Sequence, residues 1–230
     1  GEFAKVDFGE GTDIRWVKNI PAPSSFFIFG TNYDFMAGYD ESRQMGTVHV
    51  ADRHISPGKK FFTWGNGEMG EVWQKNLTDG DDPYIEIMTG CYTDNQPDFT
   101  WLKPGEEKTF VQYFMPYKGV GRVGNATKEA AVSMTFAEEG RAVLKVYVTA
   151  AHENARTTAE NMDAEYIVSD NGQIICSGKH DFEPGRTFHF KVKASKRVCL
   201  QGIRVLLKDQ SGKEIISYEE GHGYFEGKIK

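Results

Sequence analysis

The sequence predicts an all-β protein. Three observations carry this: apolar and β-branched residues recur in short runs bounded by Gly, Pro, Asn and Asp; a single stretch shows helical spacing; and turn residues punctuate the second half regularly. In order, the runs Ile14 to Ile20, Ser25 to Gly30 and Thr47 to Ala51 read as strands, and a further strand begins at Lys59 and Lys60 behind the Pro57-Gly58 turn. Glu68 to Leu77 places Met69, Val72, Trp73 and Leu77 at helical spacing and predicts a short helix. Strands resume at Tyr84 to Cys91 and Thr109 to Phe114.

Beyond Asn125 the pattern becomes uniform. The runs Ala130 to Phe136, Ala142 to Ala150, Ala164 to Ser169, Gln173 to Ser177, Thr187 to Lys193, Gly202 to Lys208 and Glu214 to Tyr218 are joined through Glu139-Gly140, Asp170-Asn171-Gly172, Glu183-Pro184-Gly185 and Gln210-Ser211-Gly212. These joints accept positive φ or fix a bend, so hairpins are expected. His152 to Met162 is polar and unpatterned and reads as a surface connection. Seven strands in such a length predict an immunoglobulin-like β-sandwich over 126–230. Aromatic density changes at the same place, since 21 of the 30 Phe, Trp and Tyr residues precede Gly119. A first domain is therefore expected over 1–125.

Composition narrows the function. With 27 basic against 33 acidic residues the formal charge is -6, and no Lys/Arg cluster follows a phosphate backbone, which excludes nucleic acid as an expected partner. The longest apolar runs fall far short of the roughly 20 residues that cross a bilayer, so no membrane span is expected, and the compartment is left open. Cys91, Cys176 and Cys199 are widely spaced without a CxxC pair, and read as plain thiols. No phosphate loop, GxSxG elbow or dinucleotide fingerprint is present, and no cofactor is expected.

The stretch RHISPGKKFFTWGNG, residues 53–67, combines aromatic rings with amides and a glycine that permits close backbone approach. Proteins bind pyranose rings in this way: the apolar sugar face stacks on indole while fixed polar groups take the hydroxyls. Trp64 and Asn66 are the candidate contacts, with Trp73 nearby; the alternative is that Phe61, Phe62 and Trp64 alternate between a core and a covered surface. Further on, Asp94, Asn95, Gln96 and Trp101 add polar and stacking groups, or form an ordinary turn. Glu86 lies inside the apolar run Tyr-Ile-Glu-Ile-Met and by alternation shares a face with Tyr84 and Met88. Facing a cleft, it would suit acid or base work on a sugar oxygen, with Asp98 as a second carboxylate; facing water, it is a surface residue. His49, Asp52, Arg53 and His54 lack a metal-site pattern and read as structural pairing of Asp with Arg or His. Asp79-Gly80-Asp81-Asp82 reads as an acidic turn.

The strings PGKKFFTWGNGEMGEVWQKNLTDGDDPYIEIMTG, YTDNQPDFTWLKPGEEKTFVQYFMPY and NATKEAA lie between about Asp13 and Thr127. In them the chain resembles an uncharacterised bacterial domain family with a galactose-mutarotase-like β-supersandwich, often found in large proteins that carry tetratricopeptide repeats. The resemblance implies the C-terminal part of such a supersandwich in the first domain, completed by the remainder of a larger polypeptide or by a self-association partner. It also implies carbohydrate handling without naming a reaction. YIEIMTG followed by NQPD is similar to the stretch that bears the general-base glutamate of mutarotases, which maps onto Glu86, whereas His49 and His54 lie too close to Glu86 to match the acid histidines. The expected partner is an oligosaccharide or glycan. The expected function is a carbohydrate-active protein, part of a glycoside-processing enzyme; a non-catalytic glycan-binding module and a structural domain of a repeat-containing protein are the alternatives.

Overall fold

The computed structural model describes residues 9, 11–28, 30–80, 83–92, 99–137, 141–149, 161–193 and 202–220. Strands account for 48% of the described residues, about twice the average for globular proteins. The chain is thus all-β, with all strand pairs antiparallel among the described residues. Its contacts divide it into two compact units, each discontinuous in sequence: Gly1–Phe29 with Ser56–Lys108, and Gly30–Ile55 with Thr109–Lys230.

The first unit holds a three-stranded sheet of β1 (Ser24–Phe27), β4 (Lys60–Thr63) and β5 (Ile85–Met88), in the order β1-β4-β5. Between β4 and β5 lies α1 (Glu68–Leu77), with the bounds its apolar spacing predicts. The expected strand over Ile14 to Ile20 is absent: a turn and a short 3-10 helix, Val17–Asn19, stand there instead. The reason is local. Asp13 accepts from the Arg15 amide at 3.0 Å and its carbonyl accepts from the Asn19 side chain at 2.9 Å, so the polar groups of this stretch close on themselves and are not offered to a neighbouring strand.

The second unit stacks three sheets. One contains β2 (Phe35–Asp40), β3 (Met45–Val50) and β6 (Tyr113–Lys118) in the order β2-β3-β6. The next contains β7 (Asn125–Ala126), β8 (Ala130–Ala137), β9 (Arg141–Val148) and β12 (Thr187–Lys193), in the order β12-β9-β8-β7. The last contains β10 (Met162–Asp170), β11 (Gln173–Phe182), β13 (Ile203–Asp209) and β14 (Glu214–Glu219), in the order β11-β10-β13-β14. The two four-stranded sheets form the β-sandwich that the strand spacing predicts. The three-stranded sheet belongs to the same unit although its residues precede Asn125.

Alternation along β8 and β9 explains the layering. Ala130, Val132 and Met134 with Leu144, Val146 and Val148 point to one side, into a core shared with Val168, Phe182, Val205, Leu207 and Ile216. Ala131 and Tyr147 point to the other side, and pack with Val48, Val50, Tyr117, Val120 and Val123. The middle sheet is therefore apolar on both faces, as a sheet covered on both sides must be. Close approach of β2 to β3 depends on glycine: a Cβ on Gly46 would stand 2.2 Å from the Gly38 carbonyl oxygen and 2.8 Å from the Tyr117 ring. The β10–β11 hairpin turns through Asn171 and Gly172, both at positive φ (46° and 82°), the geometry that an Asn-Gly pair accommodates. Two further differences from the sequence reading occur in this unit. The strand expected from Thr109 begins at Tyr113, and β2 was not foreseen, because its Phe-Met-Ala-Gly-Tyr-Asp sequence is broken by a glycine.

Candidate functional site

The aromatic residues around Trp64 are placed by the β4–α1 connection. β4 ends at Thr63, and Gly65 turns the chain at φ 77°, where a Cβ would meet the Ala22 backbone at 2.7 Å. The Asn66 amide donates to the Ile20 carbonyl at 2.9 Å, and its side-chain amide donates to the Lys18 carbonyl. The helix then starts with Gly70 directly over the loop, where a Cβ would stand 2.0 Å from the Gly65 carbonyl oxygen, and Gln74 donates to that same oxygen at 3.2 Å. This tight docking of the first helical turn carries Trp73 onto Trp64. Their rings stack at 4.5 Å between centroids and 12° between planes, and Phe62 meets Trp64 edge-on at 5.1 Å.

The sheet register adds Glu86 to this cluster. Phe62 pairs directly with Glu86 across β4 and β5, so the two side chains share a face. Tyr84 joins them: its hydroxyl donates to the Glu86 carboxylate, and burial followed by the negative charge of Glu86 pushes the Tyr84 phenol up from its ordinary value. The face thus carries, in sequence of contact, Tyr84, Glu86, Phe62, Trp64 and Trp73. The sequence places Glu86 with Tyr84 correctly by alternation. It does not show that Phe62 is the link to the tryptophans, although residues 60, 62 and 64 alternate in the same way. At the far end of this face the Lys60 ammonium lies 5.8 Å from the centre of the Phe27 ring.

Three predicted residues, Glu86, Trp64 and Trp73, are therefore brought together. Asn66 lies at the adjoining loop, but its side-chain amide closes that loop on Lys18. Trp101 stands in a segment without regular structure, 76% exposed, with Phe99 edge-on at 5.3 Å. Asp94, Asn95, Gln96 and Asp98 lie outside the described residues. The Trp64 indole N–H is buried and has no hydrogen-bond partner among the described residues, while Trp73 is 38% exposed.

The histidine-rich stretch is structural in its contacts. His49 is fully buried, its Nε2 is 3.1 Å from Gln112 Oε1, and its ring lies 4.6 Å from that of Phe114. Arg53 pairs at 3.1 Å with Asp34, not with the neighbouring Asp52, whose carboxylate instead accepts the His54 amide at 2.8 Å. Cys91 and Cys176 are free thiols. Among the described residues no three His, Cys, Asp or Glu side chains converge as metal ligands, and no helix is long and apolar enough to cross a membrane.

The cluster lies in a part of the chain that is similar to a known family of sequences. Residues 4–117 match a domain of unknown function, DUF5107. Residues 125–218 match the second domain of a YphG-like protein. No solved structure matches the chain. The first match covers Trp64, Trp73 and Glu86, and its description names no activity. The boundary between the two matches falls between the end of β6 and the start of β7.

Proposed function

We propose that the first unit is a carbohydrate-binding domain whose site is the face bearing Trp73, Trp64, Phe62, Tyr84 and Glu86. The single observation that carries this reading is the stacked Trp64–Trp73 pair set on the same sheet face as a hydroxyl–carboxylate pair. Indole offers an apolar platform for the C–H face of a pyranose, and a carboxylate held by a phenol accepts from sugar hydroxyls. In this reading Glu86 positions a hydroxyl. Glycoside hydrolysis would require a second carboxylate, and Asp98 is the residue that would have to supply it. The mutarotase-like supersandwich belongs to the same proposal, as does its completion by further polypeptide or by a second copy. Support for that completion comes from the exposed Met69, Val72 and Leu77 of α1.

Titration calorimetry with a panel of oligosaccharides tests the reading. Trp73→Ala is expected to weaken binding about tenfold while the sheet stays folded, because Trp73 sits on the helix surface. Absence of binding to wild-type protein across the panel, repeated on a longer parent polypeptide, would sink the proposal. A glycosidase screen of wild type, Glu86→Gln and Asp98→Asn separates the two classes: turnover lost in both variants identifies an enzyme, and sugar binding without turnover identifies a binding module.

A further inference from the structure

The outer face of the sheet β11-β10-β13-β14 carries apolar side chains where a solvent-facing sheet ordinarily alternates to polar ones. Val168, Val205 and Leu207 enter the sandwich core. Their neighbours Ile167 and Leu206, paired in register, turn the other way. Ser169 pairs with Ile174 on one side and with Arg204 on the other, and Arg204 pairs in turn with Glu219. These residues, together with Asn171, Gly172 and Gly202, line an open depression of about 410 Å³. That volume lies within the rough 300–1,000 Å³ range of small-molecule sites. Its apolar lining is Ile167, Ile174 and Leu206, and Ile174 is 61% exposed.

The rim holds two opposite charges that are not spent on each other. Arg204 and Glu219 face one another across β13 and β14, yet among the described residues their side chains form no ion pair with each other, and the Arg204 side chain is exposed. The strand beneath them is fixed: the Tyr33 hydroxyl donates to the Glu219 carbonyl at 3.3 Å and accepts the Glu219 amide at 3.0 Å. Within the lining the Asn171 amide donates to the Gly202 carbonyl at 2.9 Å. A planar guanidinium presents a fork that fits one carboxylate, whereas an adjacent carboxylate disfavours a dianion and accepts an ammonium. We propose that this depression binds a small zwitterion with an aliphatic body, of the amino-acid type. The ligand carboxylate lies on Arg204, its ammonium at Glu219, and its hydrocarbon on Ile167, Ile174 and Leu206. This site is in the second unit, and it stands independently of the sugar-binding reading.

Free leucine added to the isotope-labelled full chain is the probe, read by amide NMR. Saturable shifts are expected at residues 167, 174, 204, 206 and 219, with core amides such as that of Val205 reporting that the sandwich is intact. Arg204→Gln, on an exposed side chain, is expected to weaken binding about tenfold or more, and Ile174→Ser several-fold. Isovalerate, which lacks the ammonium, and isoamylamine, which lacks the carboxylate, are each expected to bind more weakly than leucine. The proposal is overturned by the absence of saturable shifts, by unchanged affinity in Arg204→Gln, or by isovalerate binding as tightly as leucine.

Discussion

The two units use aromatic and apolar residues in opposite ways. Both clusters of buried apolar residues lie in the second unit, where Phe182, Leu144, Val146, Val205 and Leu207 are shielded almost completely. In the first unit, among the described residues, Ile20 is the one apolar side chain that reaches this degree of burial, and the other buried side chains are Ser24, Ser56, Lys59 and Thr63. Its large apolar side chains are instead on the surface, with Met69, Val72, Phe99, Trp101 and Leu102 all exposed. The aromatic-rich part of the chain is therefore the core-poor part. Abundance of large rings measures how much apolar surface a segment has to place, and only packing decides whether that surface meets the chain itself or something else.

All four Trp residues, Trp16, Trp64, Trp73 and Trp101, fall in the first unit, whereas most strands fall in the second. Indole fluorescence and far-UV circular dichroism consequently report on different units. The largest expected effect is Phe182→Ala, which leaves a cavity in the sandwich core and should lower stability by about 3–5 kcal/mol. The dichroism transition should move and the fluorescence transition should stay; equal movement of both would break the contrast between the units. Gly46→Ala comes next. Its new methyl group collides with the Gly38 backbone, which cannot retreat as a side-chain end would, so about 2 kcal/mol of destabilisation is expected on the dichroism transition alone.

Alkaline pH should sharpen the same contrast. Burial holds the phenols of Tyr117 and Tyr218 far above their ordinary value of 10.0, and the hydrogen bond to Glu220 adds to this at Tyr218. The folded state keeps these protons when the unfolded chain has released them, so the stabilisation is fully present below pH 10 and declines as pH rises beyond it. Denaturant titrations followed by dichroism at rising pH should show the midpoint falling above pH 10, and a midpoint that holds steady would contradict the buried phenols. The smallest expected effect is in the first unit, where Trp73→Ala removes a stacked but partly exposed ring. A loss of about 1 kcal/mol in the fluorescence transition is expected. A loss as large as that of Phe182→Ala would show that the Trp64–Trp73 pair is the unit's core.

Much of this was legible from local pattern. The bounds of α1 follow from Met69, Val72, Trp73 and Leu77, and the β10–β11 turn follows from Asn171-Gly172, because both signals are complete within a few residues. The common face of Tyr84 and Glu86 was equally readable, since strand alternation is a local property. The role of Asn66 was not: its side chain faces the Lys18 carbonyl, forty-eight residues away in sequence, so an amide that reads as a ligand contact serves as a loop clasp. Nor could pattern show that β2, β3 and β6 form a third layer on the sandwich, because the outward-facing Ala131 and Tyr147 of the middle sheet look like any other alternate positions.

By itself the sequence determined the all-β class, the helix α1, the hairpin turns and the alternation that marks two faces on each strand. These depend on φ/ψ preferences and periodicity, which act over a few residues. Only the tertiary structure decided which face of each strand is covered. It brought Trp73 onto Trp64 through the glycine-to-carbonyl contact of Gly70 with Gly65, and set Phe62 beside Glu86 through sheet register. It also set Arg204 and Glu219 opposite one another, without an ion pair between them, beside the apolar side chains of Ile167, Ile174 and Leu206. The physical reason is the same in each case: burial and proximity are properties of the space between elements, and no segment carries the shape of its neighbour in its own sequence.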